Sequence, residues 1–143
     1  MQMISPYLVT ILVGWIVAQG LKYIFAVVRT KDARNFRQLY LSGNMPSAHT
    51  ATVVSLAVHI GLREGLNSAI FGLAALFATI VMYDAVMVRR SVGEQGQAIQ
   101  SLIKEQKSKV AFPRAAKGHT PAEVAVGLLL GVAVGVVVFL ATK

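Results

Sequence analysis

The chain has 143 residues, of which 55% are hydrophobic and only 14% charged, and it carries a formal net charge of +8. Soluble domains usually carry about 25% charged residues, so this composition excludes an ordinary water-facing globular surface. The absence of cysteine excludes disulfide frameworks, thiolate nucleophiles and Cys-based zinc sites, and the length suits a single domain spanning residues 1–143.

A membrane-crossing helix needs about 20 mostly apolar residues. The first such run extends from about Ile4 to Val28, interrupted by Gln19 and Lys22. It has no basic residue ahead of the apolar stretch and no convincing small-residue cleavage site, so it reads as a retained helix rather than a signal peptide. A basic stretch from Arg29 to Met45 follows, in which Asp32–Leu41 reads as a short interfacial helix. The second apolar run, about Pro46 to Leu62, is short and contains Ser, Thr and His, and the third runs from about Ser68 to Val88 with Asp84 near its end. The next loop, Arg89 to Thr120, includes an amphipathic stretch at Glu94–Lys109 that reads as a helix resting on lipid headgroups. The fourth run, about Pro121 to Thr142, spaces Gly127, Gly131 and Gly135 by four, a smooth stripe for close packing within the bundle or in a homodimer.

These elements predict an all-α polytopic membrane bundle of about four transmembrane helices. Nearly all Lys and Arg fall in the Arg29–Met45 and Arg89–Thr120 loops, while the opposite side offers only Arg63 and Lys143. By the positive-inside rule both basic loops are cytoplasmic and both termini outside, in a multi-pass cell-membrane protein. The positive charge lies between apolar runs, so its expected partners are membrane lipids and lipid phosphates rather than nucleic acid.

Alternating topology brings four polar groups to the cytoplasmic ends of the spans, where ionisable residues suggest function. They are Lys22 and Arg29, Asn44 to His49, Asp84 to Glu94, and His119 to Glu123. Asn44 reads as an N-cap with Pro46 in the first turn, a helix start whose free N–H groups and dipole suit an anion. Lys22, Arg29 and one or more of Arg89, Arg90 and Arg114 would surround that point with positive charge. His49 and His119 add groups able to act as nucleophile or general acid.

In order along the chain stand Lys22, six residues, Arg29; then Pro46-Ser47-Ala48-His49; then His119 followed four residues later by Glu123. This set resembles the type 2 phosphatidic acid phosphatase superfamily, which also includes vanadium-dependent haloperoxidases, with its K-x6-R-P, P-S-G-H and S-R-x5-H-x3-D patterns. Met82–Gln95, with Asp84, Arg89, Arg90 and Glu94, and Gly118–Val124 look like its divergent bacterial and plant branch. The resemblance implies that His119 attacks phosphorus to give a phosphohistidine, oriented by Glu123, while His49 protonates the leaving alcohol. Lys22, Arg29, Ser47 and the Ala48 N–H would hold phosphate. The implied function is a lipid phosphatase acting on a phosphate monoester or diphosphate, with no metal or other cofactor. The alternative is a non-catalytic protein that binds or moves anionic lipid with the same pocket. Thr30, Ala48 and Glu123 stand where the family has Pro, Gly and Asp, and Pro113 where it has Arg. Arg114 is one position off, so Arg89 or Arg90 is expected to supply that guanidinium.

Blander readings accompany each feature. Thr120-x-x-Glu123 with Pro121 is a capping box whether or not it serves catalysis, and Arg90 with Glu94 has the spacing of a surface helix pair. Lys22 and Arg29 could snorkel to headgroups. Asp84 calls for a partner, either an arginine counter-ion or a Mg²⁺ shared with Glu94. His59, toward the far end of the second span, reads as a packing or interfacial residue.

Overall fold

The computed structural model describes residues 4–31, 45–113, 115 and 118–143. All the regular structure in it is helical: α1 (Pro6–Thr30), α2 (Ala48–Glu64), α3 (Ala69–Tyr83), α4 (Arg89–Glu105) and α5 (Pro121–Ala141), with a π-helical turn, Asp84–Val88, joining α3 to α4. The expected Asp32–Leu41 helix and Arg114 lie outside the described residues.

Three helical segments are long and apolar enough to cross a membrane: Pro6–Thr30, Ala69–Glu105 and Pro121–Ala141. The α2 helix, with 17 residues and three hydroxyl-bearing side chains after its start, is less apolar but lies innermost, packed on α1, α3 and α5. Its burial within the protein tolerates that polarity. The lipid-facing residues are elsewhere, notably Leu73, Leu76, Phe77 and Ile80 of α3, all more than half exposed. The architecture is a helical membrane bundle.

Small side chains hold its centre together. Ala18, Ala48 and Ala51 form one buried cluster with Leu130 against it, and Val54, Ala57 and Ala78 form another. The glycine stripe of α5 meets α2 directly. A Cβ on Gly127, Gly131 or Gly135 would come within 2.7, 2.7 and 2.6 Å of the carbonyl oxygens of Ser47, Ala51 and Ser55 respectively. Such backbone-to-backbone approach is how helices associate where water supplies no driving force between them. Because the stripe is taken up inside the chain, it presents no open face to a second copy.

Two sequence expectations change. The segment after the third span is not a loop followed by a separate interfacial helix. Its helix continues through the π turn to Glu105, giving a 37-residue rod that at about 1.5 Å per residue outruns the roughly 30 Å hydrocarbon layer. Arg89, Arg90, Ser91, Gln95 and Gln97 are polar without breaking helical geometry, and nothing in them stops the helix. The second change concerns the start of α2. Its N-cap is Ser47, whose hydroxyl oxygen accepts from the Thr50 N–H, and Pro46 precedes the helix rather than occupying its first turn. Serine caps as well as asparagine does, so local chemistry favoured neither site.

At the end of the bundle away from the basic loops, His59 is fully buried. The Thr10 hydroxyl donates to the Pro6 carbonyl at 2.9 Å, so it must accept from His59 Nδ1–H at 2.7 Å. The rings of Tyr7 and Phe139 pack edge-on against the imidazole. Tyr7 also donates its hydroxyl to Glu64. His59 is thus a packing residue that ties α1 to α2.

Candidate functional site

The return segment between α4 and α5 runs back along α4 toward the bundle. The Gln100 side-chain amide donates to the Pro113 carbonyl at 2.7 Å, Ala115 lies against Gly96, and Gly118 lies against the backbone of Arg90. A Cβ at Gly118 would fall 2.4 Å from the Arg90 nitrogen, so only glycine allows this crossing. One residue later the His119 N–H donates to the Ala85 carbonyl in the π turn at 3.1 Å. A π turn disturbs the regular i→i−4 ladder and recurs at functional sites. Here it leaves a main-chain carbonyl for an outside donor, and that bond sets the position of His119.

The side chain of His119 is fixed from α5. Thr120 is the N-cap, and the capping box is complete: Glu123 N–H donates to Thr120 Oγ1 at 3.3 Å, and Thr120 N–H donates to Glu123 Oε2 at 3.0 Å. The same Oε2 lies 3.0 Å from His119 Nδ1. A carboxylate only accepts, so Nδ1 carries a proton and donates it. In the neutral ring the lone pair is then on Nε2. The capping box and the histidine–acid pair are therefore not competing explanations, because one carboxylate oxygen serves both. His119 is 8% exposed and borders a cleft of about 200 Å³ with Arg90, Gly93, Glu94 and Gln97.

The other expected residues gather around this pair. Lys22 is buried on the inner face of α1, within electrostatic range of Glu123. His49, the second residue of α2, is exposed; it lies within electrostatic range of Arg89, His119, Lys22 and Asp84 but does not line the cleft at His119. Arg29, in the last turn of α1, shares with Glu123 the wall of a larger cleft of about 450 Å³. Main chain joins α2 to α5 at the same level, where Ser47 N–H donates to the Glu123 carbonyl at 3.2 Å.

The two arginines at the start of α4 are both held by acids. Arg89 Nε donates to Asp84 Oδ2 at 2.5 Å, and Arg90 Nε donates to Glu94 Oε1 at 3.1 Å. Asp84 and Glu94 thus each hold a guanidinium rather than share a site, and both arginines remain about half exposed. Arg90 lines the cleft at His119, whereas Arg89 bears on His49.

Ser47 departs from the role its motif suggests. It is completely buried, and its oxygen accepts from the Thr50 N–H and hydroxyl. In this structure it caps α2 and faces no open space. Ala48 begins that helix and is also buried; like the first N–H groups of any helix, its N–H has no partner within the helix. Among the described residues no group of three or more His, Asp and Glu is placed to hold a metal ion.

Two site residues were not expected from sequence: Ala85, which matters only through its carbonyl and has no side-chain signature, and Gly118, whose position beside His119 was the available signal. The chain matches the family described as "Divergent PAP2 family" over residues 3–134. A protein of Bacillus subtilis (strain 168) described as "Uncharacterized membrane protein YuiD" is 39% identical over 106 residues, covering 64% of this chain and 67% of the relative. No solved structure matches significantly. With a match that leaves out only residues 1–2 and 135–143 and takes in the histidine–acid pair, this chain belongs to the divergent PAP2 family.

Proposed function

We propose that the protein is an integral-membrane hydrolase of lipid phosphates, working through a phosphohistidine at His119. The observation that carries this reading is the hydrogen bond from His119 Nδ1 to Glu123 Oε2. It orients the ring, leaves Nε2 as the nucleophilic nitrogen and favours the imidazolium character that develops as a bond to phosphorus forms.

In the first step Nε2 attacks phosphorus and the bond from phosphorus to the lipid oxygen breaks. His49 gives a proton to the departing alkoxide. In the second step water attacks phosphorus, its proton passes to His49, and the P–N bond breaks to release inorganic phosphate. Lys22, Arg29 and the arginines at the start of α4 would offset the charge on the phosphoryl oxygens, which suits a reaction governed by positioning and electrostatics. Arg90 is the better placed of the two to touch a phosphoryl group beside His119, since it lines that cleft. Ser47 would act by holding the start of α2 in place. By the positive-inside rule, the excess of Lys and Arg in the Arg29–Met45 and Arg89–Thr120 segments supports a reading in which the site faces the cytoplasm and both termini lie outside.

Purified protein in micelles is expected to release phosphate from lipid phosphates with chelator present, to carry acid-labile ³²P during turnover, and to lose both in His119→Ala. Phosphate release that persists in His119→Ala overturns the assignment. Saturable binding of lipid phosphate with no release from the unmutated protein would instead establish a lipid-binding protein.

A further inference from the structure

Two clefts meet the histidine–acid pair, and they differ in chemistry. The smaller, at His119, is walled by Arg90, Glu94, Gln97 and glycine. The larger, about 450 Å³, is lined among the described residues by the charged Arg29 and Glu123 and by Phe25, Ala26, Val28, Thr30 and Met45. Their linking element is the 3.0 Å bond between His119 and Glu123. A volume of this size lies within the range of about 300–1,000 Å³ typical of small-molecule sites.

The apolar part of the larger cleft belongs to the end of a spanning helix. Ile24, Phe25 and Val28 are 55%, 50% and 72% exposed on a segment that lies in lipid, so the cleft borders the bilayer. A fully water-soluble phosphate would leave Phe25, Val28 and Met45 unsatisfied, whereas a purely apolar molecule would set hydrocarbon against Arg29 and Glu123. The lining changes from charged to apolar within one turn of α1, between Arg29 and Phe25, which matches an amphiphile with an anionic head. Arg29 attracts the head, and the apolar wall gains by burial of the chain, at about 0.8 kcal/mol per buried CH₂.

We propose that the cleft between the last turn of α1 and the first turn of α5 seats a hydrocarbon tail of the lipid phosphate, with Phe25, Val28 and Met45 as its wall. The tail enters sideways from the bilayer, and its phosphate reaches His119 past Glu123. This rests on the function proposed above, and places chain recognition in α1 and in the residue just before Pro46.

The test uses the absence of native cysteine. Single cysteines replace Val28, Met45 or, as a lipid-facing control on α3, Leu73, in full-length protein in phosphatidylcholine nanodiscs. Labelling by N-ethylmaleimide is timed with and without a long-chain lipid phosphonate, which has no ester oxygen to lose, and with the matching diacylglycerol. The phosphonate should slow labelling of Val28→Cys and Met45→Cys by roughly fivefold or more, since a seated ligand has about 70–90% of its surface covered. Leu73→Cys should not respond, and diacylglycerol should protect neither site. Unchanged rates at positions 28 and 45, or equal protection by diacylglycerol, overturn the proposal. Phosphate release from phosphatidate by the same proteins is read in parallel. Release without protection removes the tail site and leaves the hydrolase; protection without release does the reverse.

Discussion

At the scale of single residues, the shared oxygen of Glu123 makes cap and catalysis separable by experiment. Thr120→Val removes only the side-chain half of the cap, which should cost about 0.5–2 kcal/mol of stability and leave phosphate release within a few-fold of the parent. Glu123→Gln keeps a carbonyl oxygen for the Thr120 N–H but gives up the charge facing the His119 ring. Phosphate release should then fall by about 10²-fold or more, with a smaller loss of stability than Thr120→Val brings. Steady-state release and thermal unfolding in the same detergent read the two effects. Equal losses of activity in both variants would mean that Glu123 matters only as a cap. Most of this was readable from sequence, since T-P-A-E after a histidine states both roles at once. Ser47 was less readable. In a P-S-A-H motif, serine looks like a ligand, and only the packing of α2 against α5 reveals that it is sealed in.

Among the elements, α2 and α5 form the closest contact, and their contact depends on three missing methyl groups. Gly131→Val would drive its Cβ toward the Ala51 carbonyl and the Val54 side chain, each 2.7 Å away. Overpacking of that kind costs about 1–3 kcal/mol, and here the obstacle is partly backbone, which yields little. Gly20, on the open side of α1, has nothing within 4 Å of a Cβ, so Gly20→Ala should be neutral or gain up to about 1 kcal/mol from helix propensity. The unfolding midpoint of Gly131→Val should therefore drop and that of Gly20→Ala hold or rise. A Gly131→Val protein as stable as the parent would contradict the packing described. The spans themselves were legible because hydropathy over about 20 residues dominates everything else there. The junction of α3 and α4 was not. Two arginines and two glycines after an apolar run look like a loop, yet the helix runs on, and a π turn leaves no trace in composition or periodicity.

For the whole molecule, the deciding property is that polar groups far apart in sequence converge at one end of an apolar bundle. That convergence was legible, since alternate crossings send the ends of α1 and α3 and the starts of α2 and α5 to one face. Which guanidinium faces which acid depends on helix rotation, and sequence spacing alone does not supply it. Sidedness gives the molecular-scale prediction. In cells carrying the protein in their plasma membrane, a cysteine in place of Asn67, in the α2–α3 connection, should react with an impermeant maleimide added outside. One in place of Ser108, just past α4, should react only after permeabilisation; the reverse pattern would turn the protein over in the membrane. The π turn at Asp84–Val88 also makes the register of this chain unusually intolerant of length changes. Removing one residue, Met87 for example, would let α3 run into α4 as an unbroken α-helix and swing everything beyond it by about 100°. Arg89 and Arg90 would leave the face that looks at the histidines, and the carbonyl that anchors His119 would return to its own helix. A deletion that ought to relax the helix is thus expected to dismantle the site, so that here the irregular form of the backbone is the functional one.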